Sequence, residues 1–112
     1  MIKLPKEEQA EYDRLKERIQ AIETRLDSSV DNDQPIPFNL ILEGRHNALS
    51  CRIIEIKAQI AKAQAEGVDE ESLEPLKNRL QQNIAKAREV GRMNGLYRDI
   101  AITFREFTFY SL

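Results

Sequence analysis

The sequence predicts an all-α fold: an antiparallel bundle of three long helices with coiled-coil-like packing, the third interrupted or kinked near Gly91 to Gly95. Three observations carry this. Apolar residues recur at alternating steps of three and four over three long stretches, the spacing of a helical stripe. Turn-forming residues gather between those stretches, at Ser28 to Pro37 and at Gly67 to Ser72. The chain is 41% hydrophobic and 32% charged with only four Gly and four Pro in 112 residues, a composition that fits a helix-rich folded chain rather than a disordered one. A single domain, 1–112, is expected, with helices at about 5–28, 39–66, 72–90 and 95–108.

In the first helix Tyr12, Leu15, Ile19, Ile22 and Leu26 form the stripe. Pro5 suits its first turn, and Glu7, Glu8 and Glu11 favour the positive end of the helix dipole. Both signs of charge flank the stripe, as expected for wet outer faces.

The second helix carries two seams. Leu42, His46, Leu49, Ile53, Ile56, Ile60 and Ala63 make a bulky one. Leu40, Gly44, Asn47, Cys51, Ile54, Ala58, Ala61 and Ala65 make a small, mixed one, roughly 150° around the axis at about 3.5 residues per turn. Seams on nearly opposite sides imply neighbours on both. Arg45, Arg52, Glu55, Gln59, Lys62 and Glu66 read as a solvated ridge between them. Asn39 is the expected N-cap, with Phe38 stapling the entry, and Gly67 is the expected C-terminal glycine.

The third helix is expected to start with Ser72 as N-cap and Pro75 inside its first turn. Its first stripe is Leu73, Leu76, Leu80, Ile84 and Ala87; a second, Met93, Tyr97, Ile100, Phe104 and Phe107, lies more than a quarter-turn away on a straight helix, hence the expected break. A hairpin about Asp69 pairs residues whose numbers sum to roughly 138, at equal rise per residue. That register sets Gly91 near Asn47 and Gly95 near Gly44, so a close crossing of small residues, Gly44 with Gly91 or Gly95, is expected. Beyond it lies an aromatic segment, residues 100 to 112, with helix to about Phe107 preferred over a strand.

Chemistry-bearing residues are sparse. His46 and Cys51, the lone histidine and lone cysteine, stand roughly 140° apart on a helix, so local geometry makes no nucleophile and base pair of them. Both suit helix packing. No metal-ligand cluster, calcium loop, phosphate loop or nucleophile elbow is present in the sequence, and Asp31, Asn32 and Asp33 read as a turn. No enzyme activity and no cofactor is expected. A single cysteine allows no internal disulfide, and there is neither a membrane-spanning run nor a signal-peptide core, so a cytoplasmic protein is expected.

Charge is divided along the chain. Residues 1–75 hold 10 Lys and Arg against 16 Asp and Glu, and residues 76–112 hold 7 against 3, so a net charge of −2 conceals an acidic part and a basic end. The expected function is a non-enzymatic protein-interaction module, an adaptor, chaperone-like factor or inhibitor of a larger complex. It would act through helix faces and through Tyr97, Ile100, Phe104, Phe107, Phe109 and Tyr110. A homodimer through the small seam or the aromatic segment is part of that expectation. The alternative is a nucleic-acid-associated protein contacting phosphates with Lys77, Lys86, Arg88, Arg92, Arg98 and Arg105.

Overall fold

The computed structural model describes the backbone of residues 4–111 and the side chains of residues 4–95. Three helices run in sequence, α1 (Lys6–Asp31), α2 (Phe38–Ala65) and α3 (Glu70–Ser111), with no strand among the described residues. The all-α, three-helix expectation holds, in an open form. α2 packs against both α1 and α3, whereas α1 and α3 do not pack on one another among the described residues.

The two seams of α2 explain this layering. Leu42, Ile56 and Ile60 on the bulky seam are buried, and His46 on the same seam lies beside Gly91 of α3. Cys51 on the small seam is buried too, and Gly44 lies beside Ile22 of α1. Each neighbour therefore takes one seam. α1 meets α2 with the expected stripe: Ile22 is buried, while Tyr12, Leu15, Ile19 and Leu26 are half-buried between exposed flanks. Because α1 already covers the small seam, pairing of two copies through it would have to displace α1.

Helix ends depart from expectation for local reasons. α1 continues to Asp31, because Ser29 falls three residues after Leu26 and is buried on the same stripe, its hydroxyl donating to the Arg25 carbonyl at 3.2 Å. Asn32 Nδ2 donates to the Ser28 carbonyl at 2.7 Å, so residues that favour turns here satisfy the last helical carbonyls instead. Gln34 N–H then reaches the Ser29 carbonyl and Asp33 N–H the Val30 carbonyl, at 2.8 and 3.2 Å, with Asp33 in the left-handed region at φ 51°. The same closure ends α2. Val68 N–H bonds Ala63 and Gly67 N–H bonds Gln64, with Gly67 at φ 84°, as its sequence position implied.

The caps differ more. Pro37, not Asn39, precedes α2: its carbonyl receives the N–H groups of Leu40 and Ile41 at 3.1 and 3.3 Å, and Asn39 is already inside the first turn. Asp69, not Ser72, caps α3. Its Oδ1 accepts from Ser72 N–H at 2.8 Å, and hydrogen bonds from Ser72 hold the carboxyl below its usual range. Pro75 consequently sits one turn deeper than expected, where its missing N–H leaves the Glu71 carbonyl without its helical donor.

α3 is assigned as one helix through Gly91 and Gly95, so the expected interruption is absent. Leu73, Leu76, Leu80, Asn83, Ala87, Val90 and Asn94 are buried or half-buried at steps of three and four, with Lys77 and Ile84 half-buried beside them, Ile84 as the first stripe implied. Val90, buried, and Asn94, half-buried, carry the seam across the apparent gap between stripes, and Met93 is 45% exposed instead of joining it. Asn83 is buried with its Nδ2 donating to the Arg79 carbonyl at 2.7 Å. The expected glycine crossing is likewise corrected. A methyl added at Gly44 would meet Ile22 Cγ2 at 3.4 Å, one at Gly91 would meet His46 Cδ2 at 3.9 Å, and one at Gly95 would meet nothing within 4 Å. The hairpin register nevertheless stands within one residue, since Gly91 lies against His46 rather than Asn47.

Two stability predictions follow from this packing. Ile56→Ala and Leu73→Ala, at residues 2% and 1% exposed, should each cost roughly 2–5 kcal/mol in urea unfolding. Gly91→Ala and Gly95→Ala should each stabilise by roughly 0.5–1 kcal/mol, because helix propensity improves where space is free; destabilisation by either would restore the close-crossing role.

Candidate helix-docking face

α1 and α3 leave one face of α2 open. Ile41, Arg45, Ala48 and Arg52, at steps of four, three and four, are all exposed on it. On one side of this ridge a groove of about 210 Å³ runs along α1, where Ile19, Ile22 and Leu26 face Leu40 and Gly44. On the other side a groove of about 490 Å³ runs along α3, with Leu49, Val90 and Met93 in its apolar floor and Arg45, Arg52, Lys86 and Glu89 at its rim. Arg45 and Ala48 line both grooves, so the ridge is the common wall between them. Among the described residues no carboxylate forms an ion pair with Arg45, Arg52 or Lys86.

Two polar contacts tie α1 to α2. Arg18 grips Glu43 through two parallel bonds, Nε to Oε1 at 3.0 Å and Nη2 to Oε2 at 2.8 Å. Tyr12 donates its hydroxyl to Glu55 Oε1 at 2.6 Å, with the Lys16 ammonium 5.3 Å from the ring centroid. That hydrogen bond, followed by burial and the Glu55 charge, pushes the Tyr12 hydroxyl up to about 12. Cys51 is buried, and burial raises its thiol against the opposing pull of Lys16, so it stays protonated and unreactive at neutral pH.

The basic residues read from the sequence are divided. Lys77 pairs with Glu70, Lys86 lines the α3 groove, and Arg88 and Arg92 are exposed outside that groove, with Arg88 about 160° from Lys86 around the axis. Arg98 and Arg105 lie outside the described side chains, as do all six expected partner-binding residues, Tyr97, Ile100, Phe104, Phe107, Phe109 and Tyr110. His46 and Cys51 belong to opposite seams of α2, one toward α3 and one toward α1, so the fold does not unite them. Arg45 and Arg52 are the residues that sequence reasoning left on a solvated ridge. Their separation of seven, with Ala48 between, was the available signal of a third stripe on α2.

Among the described residues no helix is long and apolar enough to cross a membrane, and no three His, Cys, Asp or Glu side chains gather into a metal site. The chain matches no family model, no curated protein and no solved structure.

Tyr12→Phe removes the tie to Glu55 and should cost roughly 0.5–1.5 kcal/mol at neutral pH. The pH dependence has a defined sign. A hydroxyl whose pKa rises from 10.0 to about 12 on folding contributes stability that is full below pH 10 and is lost as pH rises through about 12. Urea unfolding at several alkaline pH values should show that loss in the wild type, with a smaller slope in Tyr12→Phe.

Proposed function

We propose that this chain is a non-enzymatic protein-interaction module that receives a helical segment of another protein on the open face of α2, with the aromatic C-terminal segment as a second contact. The observation that carries the reading is the layered packing: α1 and α3 use opposite seams of α2 and leave Ile41, Arg45, Ala48 and Arg52 uncovered between two grooves. A groove between two helices with apolar residues at its floor suits an amphipathic helix, whose own stripe completes the packing. Ile41 at 39% and Met93 at 45% exposure are apolar contacts available to it.

The nucleic-acid alternative has less support. Among the described residues its basic side chains divide between flanks of α3, and Glu23 and Glu89 stand at the groove edges, where phosphates would be repelled. An adaptor, a chaperone-like factor and an inhibitor all require such a partner, and they differ in what that partner does.

A photo-crosslinking amino acid tests the reading. Placed at Ile41 or Met93, it should join a discrete protein in extract of the native host, and placed at Lys57 or Gln20, away from the open face, it should not. Equal labelling from both sets of positions would sink the proposal.

A further inference from the structure

We infer that the groove between α2 and α3 selects an acidic amphipathic helix, one that sets an apolar ridge on Leu49, Val90 and Met93 and carboxylates against Arg45, Arg52 and Lys86. This deepens the docking reading above and rests on it. Three cations and one carboxylate, Glu89, rim a groove whose floor is apolar, so the surface asks for both a greasy ridge and negative charge in one ligand. Arg45 and Arg52 are seven residues apart on α2, about 10.5 Å along its axis at 1.5 Å per residue. Carboxylates two turns apart on a helix lying along the groove have the same spacing, so both arginines can be met by one flank. Lys86, on the opposite wall, would take a carboxylate from the other flank. Glu89 opposes any ligand that is uniformly negative and favours a helix with a basic or neutral residue at its own level.

A second copy of this chain is a poor occupant. Laying the open faces antiparallel with Ala48 on Ala48 opposes Arg45 to Arg52 of the other copy, twice over, and a parallel arrangement opposes each arginine to itself. Like charges so placed are unfavourable at an interface. The exposed face of α1 opposite its stripe, with Asp13, Glu17, Gln20 and Thr24, supplies acid but no apolar ridge. The complementary ligand is therefore a helix of a different protein.

Synthetic helices of about three heptads provide the probe. They share a leucine ridge and differ only in flanks of Glu, Gln or Lys. In fluorescence anisotropy at low salt the Glu helix should bind the full chain roughly tenfold or more tightly than the Gln helix, the sum of several rim pairs, and the advantage should fall with added salt. Arg45→Glu/Arg52→Glu should transfer preference to the Lys helix. Both residues are exposed, and unchanged circular dichroism checks that the variant folds. Ala48→Trp, which crowds the groove, should weaken the Glu helix while leaving helicity intact. Equal binding of the Glu and Gln helices would overturn acid selection and leave helix docking standing. Binding of no helix, or binding indifferent to Ala48→Trp, would overturn both. A labelled RNA duplex that binds more tightly than the Glu helix and is lost in the double charge reversal would assign the cations to phosphate and overturn the inference.

Discussion

The structure depends on α2 having to be covered on two nearly opposite sides. Leu42, Ile56 and Ile60 on one seam and Cys51 on the other cannot be buried by a single neighbour, so α1 and α3 take one side each. Three helices in a closed bundle would each touch the other two and bury stripes that converge on one axis. Here the stripes diverge, and the result is a layer. A layer of helices has open faces by construction, and the exposed Ile41–Arg45–Ala48–Arg52 ridge follows from the angle between the seams rather than from a special feature of its own.

The two helix pairs are held differently. α3 meets the bulky seam, and its Leu73, Ala87 and Val90 are buried. α1 meets the small seam, and its buried residues are only Ile22 and Ser29. Less apolar area is available there, and directional bonds supplement it: Arg18 to Glu43, and Tyr12 to Glu55. Such bonds on half-exposed side chains add modestly to stability, but they fix register. Gly44 contributes by letting Ile22 approach the α2 backbone, a role toward α1 that hairpin arithmetic with α3 could not reveal.

How far the sequence could be read follows from which signals are apolar. The stripe of α1 and the twin seams of α2 recur at regular steps, and the three-helix order with a neighbour on each side of α2 was legible in them, although a bundle rather than its open form was expected. The course of α3 was not, because the seam passes through Val90, which neither stripe included, and through polar Asn94, which a hydrophobic pattern skips in favour of exposed Met93, making one continuous seam look like two displaced stripes. Ser29 hid the last turn of α1 in the same way. The caps lie two or three residues before those expected: Asp69 rather than Ser72, and Pro37 rather than Asn39. In each case the residue nearer the preceding turn took the role, which placed Pro75 deeper in α3.

The open face was the least legible part, for a physical reason. Arginines at seven-residue spacing on a central helix look identical in sequence whether they cross open solvent or rim a groove; only the position of the neighbouring helices distinguishes the cases. Once α3 is set beside the bulky seam, Lys86 and Glu89 rise on the far wall, with Leu49 and Val90 below them. Charges that are individually ordinary then share one concave, partly apolar surface, where a ligand's carboxylate is shielded from water more than on an isolated helix and each pairing counts for more. The proposed selectivity of the face would thus arise from the layer rather than from α2 alone, since the same helix in a closed bundle would present Arg45 and Arg52 only to solvent.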